Sequence, residues 1–235
     1  MSSSDHDEEP TQPAPGAVRP ASDEASSTDA TLDAADRELV QAIDAAVAKA
    51  VRRAGPLFGC GPGRMDCCHG PFPINLLDAR RLQRGLAELR SRDPARAEAV
   101  RRRAVEAVRR LARDFPGDPR GGLLSEDEEA EQRFCARHGA RVCPALDPAT
   151  GRCEVYEWRP VACRTMGPPV RLGGEDLAPC PYCFGPASPA EVERCRAVPD
   201  PDGREDALLA ALEARLGFRG DTVIAFALTG RPRTG

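Results

Sequence analysis

The chain has 235 residues, 41% of them hydrophobic but only 4% aromatic, with ten cysteines and a formal net charge of −4. That length holds one globular domain, or one with an appendage, and so aromatic-poor a core gains from covalent or metal crosslinks. No segment approaches the roughly 18 uninterrupted apolar residues of a membrane helix, so no membrane partner is expected.

Residues 1–33 carry eight acidic groups and one basic one, Arg19, a local charge of −7 that leaves +3 for the remainder. With almost no large apolar side chain, residues 1–34 read as a disordered acidic tail, because burial could not offset the entropy of ordering them. The opening Met1-Ser2-Ser3-Ser4-Asp5 lacks the basic start of a signal peptide, so a cytoplasmic location with reduced thiols is expected. Lys49 is the single lysine among 33 basic residues. So uniform a preference for arginine reads as genomic codon usage, and nucleic acid is not an expected partner; a protein partner remains open.

The first helix is predicted over residues 36–54, where Leu39, Ile43, Val47 and Val51 form one stripe before Gly55-Pro56 stops it. A Gly/Pro-rich loop follows, through Cys60, Cys67, Cys68 and His69. Asn75 then caps a helix over 76–91. Asp93-Pro94 restarts a helix to about residue 115, with Val100, Val105, Val108 and Leu111 inward. Its arginines (Arg101, Arg102, Arg103, Arg109, Arg110 and Arg113) read as solvated surface. Ser125 to Glu128 reads as a capping box for a helix to residue 138, and Ser188 to Glu191 as another. Segments 203–217 and 220–229 look helical and apolar enough to pack on the rest. The predicted organisation is the tail, a cysteine-cluster domain over 35–200, and a C-terminal helical segment over 201–235.

Residues 140–185 lose helical periodicity and hold most of the chemistry. Cys60, Cys67, Cys68, Cys143, Cys153, Cys163, Cys180 and Cys183 lie in turn-rich sequence, which can point thiolates inward from several stretches of chain. Cys135 and Cys195 fall inside predicted helices and read as small buried hydrophobes. Thiolates are soft ligands suited to zinc or an iron–sulfur cluster, and four complete either kind of site. Eight thiolates could close two four-sulfur sites, and the vicinal Cys67 and Cys68 suit two sites or a polynuclear one. Cys180-Pro181-Tyr182-Cys183 has the form of a disulfide-exchange motif, but that chemistry needs a preceding strand and a helix opening at the motif, and neither is expected here. Val155, Tyr156 and Trp158 suggest a short ribbon near 153–158, with Tyr156 and Trp158 covering the cysteine site. His69 reads either as a further ligand or as an exposed loop residue.

Cys143-Pro144-Ala145-Leu146-Asp147, Gly151-Arg152-Cys153-Glu154-Val155-Tyr156-Glu157, Arg159-Pro160 and Cys163-Arg164, with the upstream Cys67-Cys68-His69-Gly70, resemble the signature of the zinc- or iron-chelating cysteine-cluster family (the CxxCxxCC or YkgJ-type domain). The resemblance spans roughly residues 58–185. The chain departs from the pattern after Cys60, where six residues pass without the expected cysteine, a ligand that Cys180 or Cys183 could replace. The resemblance implies a metal-binding protein holding zinc or iron, with an iron–sulfur-dependent enzyme, such as a lysine methylase-like methyltransferase or a redox protein, as the alternative. Arg159 and Arg164 are then expected to be structural, bonding carbonyls or thiolates around the site. The fold class expected throughout is mainly α, a small helical domain around an irregular cysteine-rich centre.

Overall fold

The apolar stripes and caps form the frame of a mainly α-helical protein, described over residues 21–60 and 64–232 of this computed structural model. In α1 (Ala21–Ala54), Leu39 and Ile43 are fully buried, with Ala50 and Ala54 beside them. α2 (Leu76–Arg92) starts where Asn75 Oδ1 accepts from Asp78 N at 2.9 Å, and α3 (Pro94–Leu111) where Asp93 Oδ1 accepts from Arg96 N at 3.0 Å. Both caps satisfy first-turn N–H groups that have no partner inside the helix. α2 and α3 pack together around Leu82, Leu89, Ala97, Val100 and Ala104. Gly85 lets Trp158 lie directly on α2, since a Cβ there would sit 2.5 Å from the Trp158 side chain.

Two hairpins interrupt the helices: β1 (Gly117–Asp118) pairs with β2 (Leu123–Leu124), and β3 (Val170–Leu172) with β4 (Glu175–Leu177). Between them lie α4 (Glu128–Arg137) and the one-turn α5 (Val161–Thr165). After them come α6 (Pro181–Phe184), α7 (Pro189–Arg194), α8 (Arg204–Leu216) and α9 (Ile224–Ala227). α8 packs on α1 and α2, and α9 on α2 and α3. Ile74 and Thr222 exchange both backbone hydrogen bonds, at 2.8 and 2.9 Å, tying the C-terminal segment to the start of α2. Phe226, fully buried, stacks 4.5 Å from Phe115, so this segment is part of the core rather than a cover on it.

Several elements differ from expectation. α1 begins at Ala21 rather than residue 36, because Asp29 and Asp33 find cations: Arg80 contacts them at 2.6 and 3.0 Å, and Arg84 reaches Asp33 at 2.8 Å. Residues 21–34 are therefore helical, while the rest of the expected tail, 1–20, lies outside the described residues. α3 ends at Leu111, and α4 is capped by Asp127 instead of Ser125. The 220–229 segment is helical only in α9. Residues Tyr156–Trp158 form a 3-10 turn rather than a ribbon, with a single bridge, Leu146 to Cys153, beside it. Arg103 is not solvated surface: its Nε donates to the Pro144 carbonyl at 2.9 Å.

A buried charge cluster ties these parts together. Arg81, only 2% exposed, contacts Asp36 of α1 at 2.6 Å, Asp78 of α2 at 2.5 Å and Glu205 of α8 at 3.5 Å. Burial holds the Asp78 and Glu205 carboxyls above their usual range, against the opposing pull of Arg81. Removing the one cation leaves several buried carboxylates facing each other, which is far costlier than losing an exposed pair. Arg81→Met is expected to lose about 3–5 kcal/mol of unfolding free energy by urea titration. Arg92→Ala, which breaks only the exposed pair with Glu88, should lose less than about 0.5 kcal/mol. Similar losses in both variants would show that the cluster carries no special weight.

Candidate metal centre

Three short stretches of chain, a 3-10 turn, a loop and the one-turn α5, carry the cysteines of the centre, and backbone bonds clasp the first two together. Cys67 and Cys68 lie in the 3-10 turn Asp66–Cys68. The Cys68 carbonyl accepts from Cys143 N at 2.8 Å, and Gly70 N donates to the Arg141 carbonyl at 2.7 Å. This clasp needs a glycine at position 70: its φ is +76°, and a Cβ would stand 3.1 Å from Gly139 Cα. The next loop returns on itself, with Glu154 N donating to the Ala145 carbonyl at 2.9 Å and Asp147 N to that of Arg152 at 2.8 Å. That pairing sets Cys153 near Cys143. Glu154 is held by ion pairs to Arg96 and Arg103.

Cys163 comes from α5, whose position is set from beneath. Asp78 Oδ1 accepts from Val161 N at 2.9 Å, capping the helix from within the Arg81 cluster. Arg164, with its side chain 1% exposed, donates to the Arg159 carbonyl at 3.0 Å, to the Glu157 carbonyl, and to Asp44 of α1 at 2.6 Å. Arg159 donates to the Tyr156 carbonyl at 2.9 Å and lies over the Tyr156 ring, 3.9 Å from its centroid. Both arginines thus serve carbonyls, as expected. Asp78 was not anticipated; its signal was only that of an acidic residue in a helix's first turn.

The thiols gather into two groups. Cys67 and Cys68 hydrogen-bond to each other, and Cys143 and Cys163 are near enough to Cys68 to influence its ionisation. Cys163 also feels Cys143, Cys153 and Cys67. Five thiols therefore share one neighbourhood: Cys67, Cys68, Cys143, Cys153 and Cys163. In the second group, Cys183 hydrogen-bonds with Cys180 and Cys60. The eight expected ligands fall five and three, not four and four. Cys195, expected to be an isolated hydrophobe, is buried at the end of α7 in the apolar cluster that also contains Cys180, Cys183 and Phe184. Cys135 packs instead with the Phe115, Phe134 and Phe226 cluster.

The hydrogen bond from Cys68 pulls the Cys67 thiol down to about 6, while that same bond and burial push Cys68 far up. Burial pushes Cys143 up to about 12 and raises Cys153 and Cys163 as well. Cys183 is pushed up to about 12 by burial and by Cys180 and Cys60. Within the first group, ionisation is thus favoured at Cys67, which is also the exposed thiol.

The Cys180 motif has more structural context than the sequence suggested. β4 precedes it and α6 opens at Pro181 with Cys180 as N-cap. Both elements are short, and β4 pairs only with β3. The raised Cys183 opposes a low-pKa exchange role for that thiol. His69 donates Nδ1–H to the Met65 carbonyl at 2.9 Å, since a carbonyl can only accept, which leaves Nε2 free of that bond. Trp158 packs on the core as expected, whereas Tyr156 is 55% exposed and its ring meets the Arg159 guanidinium.

Among the described residues, no three His, Cys, Asp or Glu side chains are arranged so that they could hold an ion as they stand. The thiols are neighbours without converging on a point. As a donor set they nonetheless fit zinc or iron in chemistry, being soft sulfurs from separate loops with all ten cysteines free. No helix among the described residues is long and apolar enough to cross a membrane. Comparison with protein-family models, curated proteins and solved structures gives no match. In metal-free protein, iodoacetamide should alkylate Cys67 at least about tenfold faster than Cys143 or Cys163 at neutral pH, slowing as pH falls through about 6. Peptide mass mapping after timed labelling reads this directly, and equal labelling of Cys143 would refute the assignment.

Proposed function

We propose that the protein binds zinc or iron, the latter alone or as an iron–sulfur cluster, through Cys67, Cys68, Cys143, Cys153 and Cys163. Cys60, Cys180 and Cys183 form an adjoining donor group. The observation that carries this reading is the gathering of five thiols, from a 3-10 turn, a loop and the one-turn α5, into one partly buried neighbourhood. An apolar core has no use for that many sulfurs at turns, whereas a metal site does. The resemblance to the cysteine-cluster family, carried by the same loops, supports it. Ten free cysteines suit a reducing compartment, and we place the protein in the cytoplasm.

The chain's own part is to fix the loops. Asp78 and Arg164 hold Cys163, the Cys68–Cys143 backbone bond holds two loops together, and His69 Nε2 is the nearest nitrogen donor along the chain to the Cys67–Cys68 pair. A bound zinc would crosslink these loops, and a bound iron would add one-electron chemistry.

Protein purified without oxygen should contain zinc or iron in at least stoichiometric amount by elemental analysis. Cys163→Ser and Cys143→Ser should each lose most of that metal and melt at lower temperature. Cys135→Ser, altering a thiol in the phenylalanine cluster, should retain it. Wild-type protein devoid of both metals, or equal retention in all three variants, would refute the proposal.

A further inference from the structure

The arginines of α3 do not simply face water. Arg109 and Arg110 of α3, Arg113 just beyond its end, Arg137 of α4 and Arg141 a few residues after it line one groove of about 810 Å³ with Glu106, Asp114 and His138. Glu106 pairs with Arg110 at 2.8 Å and more loosely with Arg109 at 3.8 Å, and Asp114 pairs with Arg137 at 3.1 Å. Among the described residues, Arg113 and Arg141 have no carboxylate partner. With five guanidiniums against two carboxylates, the arginines and carboxylates of the groove leave a surplus of three positive charges.

His138 is held in one orientation by its hydrogen bonds. It is 5% exposed, its Nδ1 accepts from Arg141 Nε at 2.8 Å, and its Nε2–H donates to Asp114 at 2.9 Å. Its ring also packs edge-on against Phe134, 4.9 Å between centroids. Codon usage accounts for many arginines, but not for a buried histidine whose only acceptor orients one of them. Arg141 is thereby a preorganised guanidinium at the groove's edge, and such forks match phosphate oxygens in pairs.

We infer that this groove binds a small ligand carrying two linked phosphate groups, of the pyrophosphate or nucleoside diphosphate type. The surplus charge matches a diphosphate, and the volume lies within the ordinary range for small-molecule sites. No Phe, Tyr or Trp lines the groove, and the ring of His138 is only 5% exposed, so it offers no broad aromatic platform for stacking a base. Recognition therefore rests on the phosphates. Two carboxylates within the patch also disfavour a continuous nucleic-acid track. Arg113 and Arg141 supply the uncommitted charge, and Asp114 and His138 are positioning residues behind Arg141.

The test is isothermal titration of the full-length, metal-containing protein at low salt with pyrophosphate, ADP and orthophosphate. Pyrophosphate and ADP should bind one to one with affinities within about threefold of each other, and orthophosphate at least about tenfold more weakly. Arg113→Ala and Arg141→Ala should each weaken pyrophosphate about tenfold or more, and His138→Ala should weaken it by less. Arg113 is exposed, so its variant is expected to fold like the parent, which thermal melting would verify. Arg101→Ala and Arg102→Ala, exposed on α3 but outside the groove, should stay within about twofold. Absence of pyrophosphate binding would overturn the inference, as would equal weakening by Arg101→Ala. It would also fall if the heat tracked metal lost from the protein, or if a DNA or RNA oligonucleotide bound more tightly through the same arginines.

Discussion

Arg81 is the point on which the rest of the structure depends. Its guanidinium is the shared partner of carboxylates from α1, α2 and α8, three helices far apart in sequence. Such a cluster is a poor source of net stability, because desolvating the charges costs about as much as their attraction returns. Its effect is to specify geometry. Asp36, Asp78 and Glu205 cannot move away from Arg81 without leaving a buried charge unpaired, so the helices are locked in one arrangement. Asp78 then carries that arrangement to α5: the oxygen that meets Arg81 also accepts the N–H of Val161, two residues before Cys163. The position of a candidate ligand is thus set by the ion cluster rather than by the loop it sits in.

The same logic runs through the irregular region. A loop rich in glycine and proline has few internal hydrogen bonds, so its shape has to be imposed from outside. Here the imposing groups are arginines. Arg164 gathers two carbonyls and an aspartate from α1, and Arg103 holds the Pro144 carbonyl next to Cys143. One planar fork can serve several acceptors at fixed angles, which a lysine cannot do. The near absence of lysine is consistent with codon bias, yet the buried arginines each do work that depends on the guanidinium. Composition and function are therefore separate matters at these positions.

Much of the helical frame was legible because it obeys local rules. The stripe of Leu39 and Ile43, the caps at Asn75, Asp93 and Ser188, and the glycines bounding α8 all report on neighbours within a few residues. The eight loop cysteines were legible as a set for the same reason, since turn residues surround them. What was hidden depends on distant partners. α1 extends back to Ala21, where Asp29 and Asp33 meet Arg80, more than forty residues away. The ribbon expected near 153–158 is a 3-10 turn because Trp158 has to reach Gly85 on α2. The division of the thiols into five and three, and the place of Cys195 beside Cys180 and Cys183, follow from how 55–60 and 180–195 pack together. No spacing rule encodes that.

The five-thiol group also has a chemical asymmetry that sequence spacing would not reveal. The interaction of Cys67 with Cys68 lowers the Cys67 thiol and raises that of Cys68, so ionisation is favoured at Cys67, on the exposed edge. The deeper Cys143, Cys153 and Cys163 remain thiols because burial disfavours their charged forms. Were these sulfurs to hold a cation, Cys67 would supply the donor whose ionisation costs least. Each further thiol could then ionise only as the cation's field offset the cost of burial, releasing its proton. The asymmetry is therefore one of position as well as of charge: the thiol whose ionisation is favoured is the exposed one, and the three whose ionisation is disfavoured are only partly exposed.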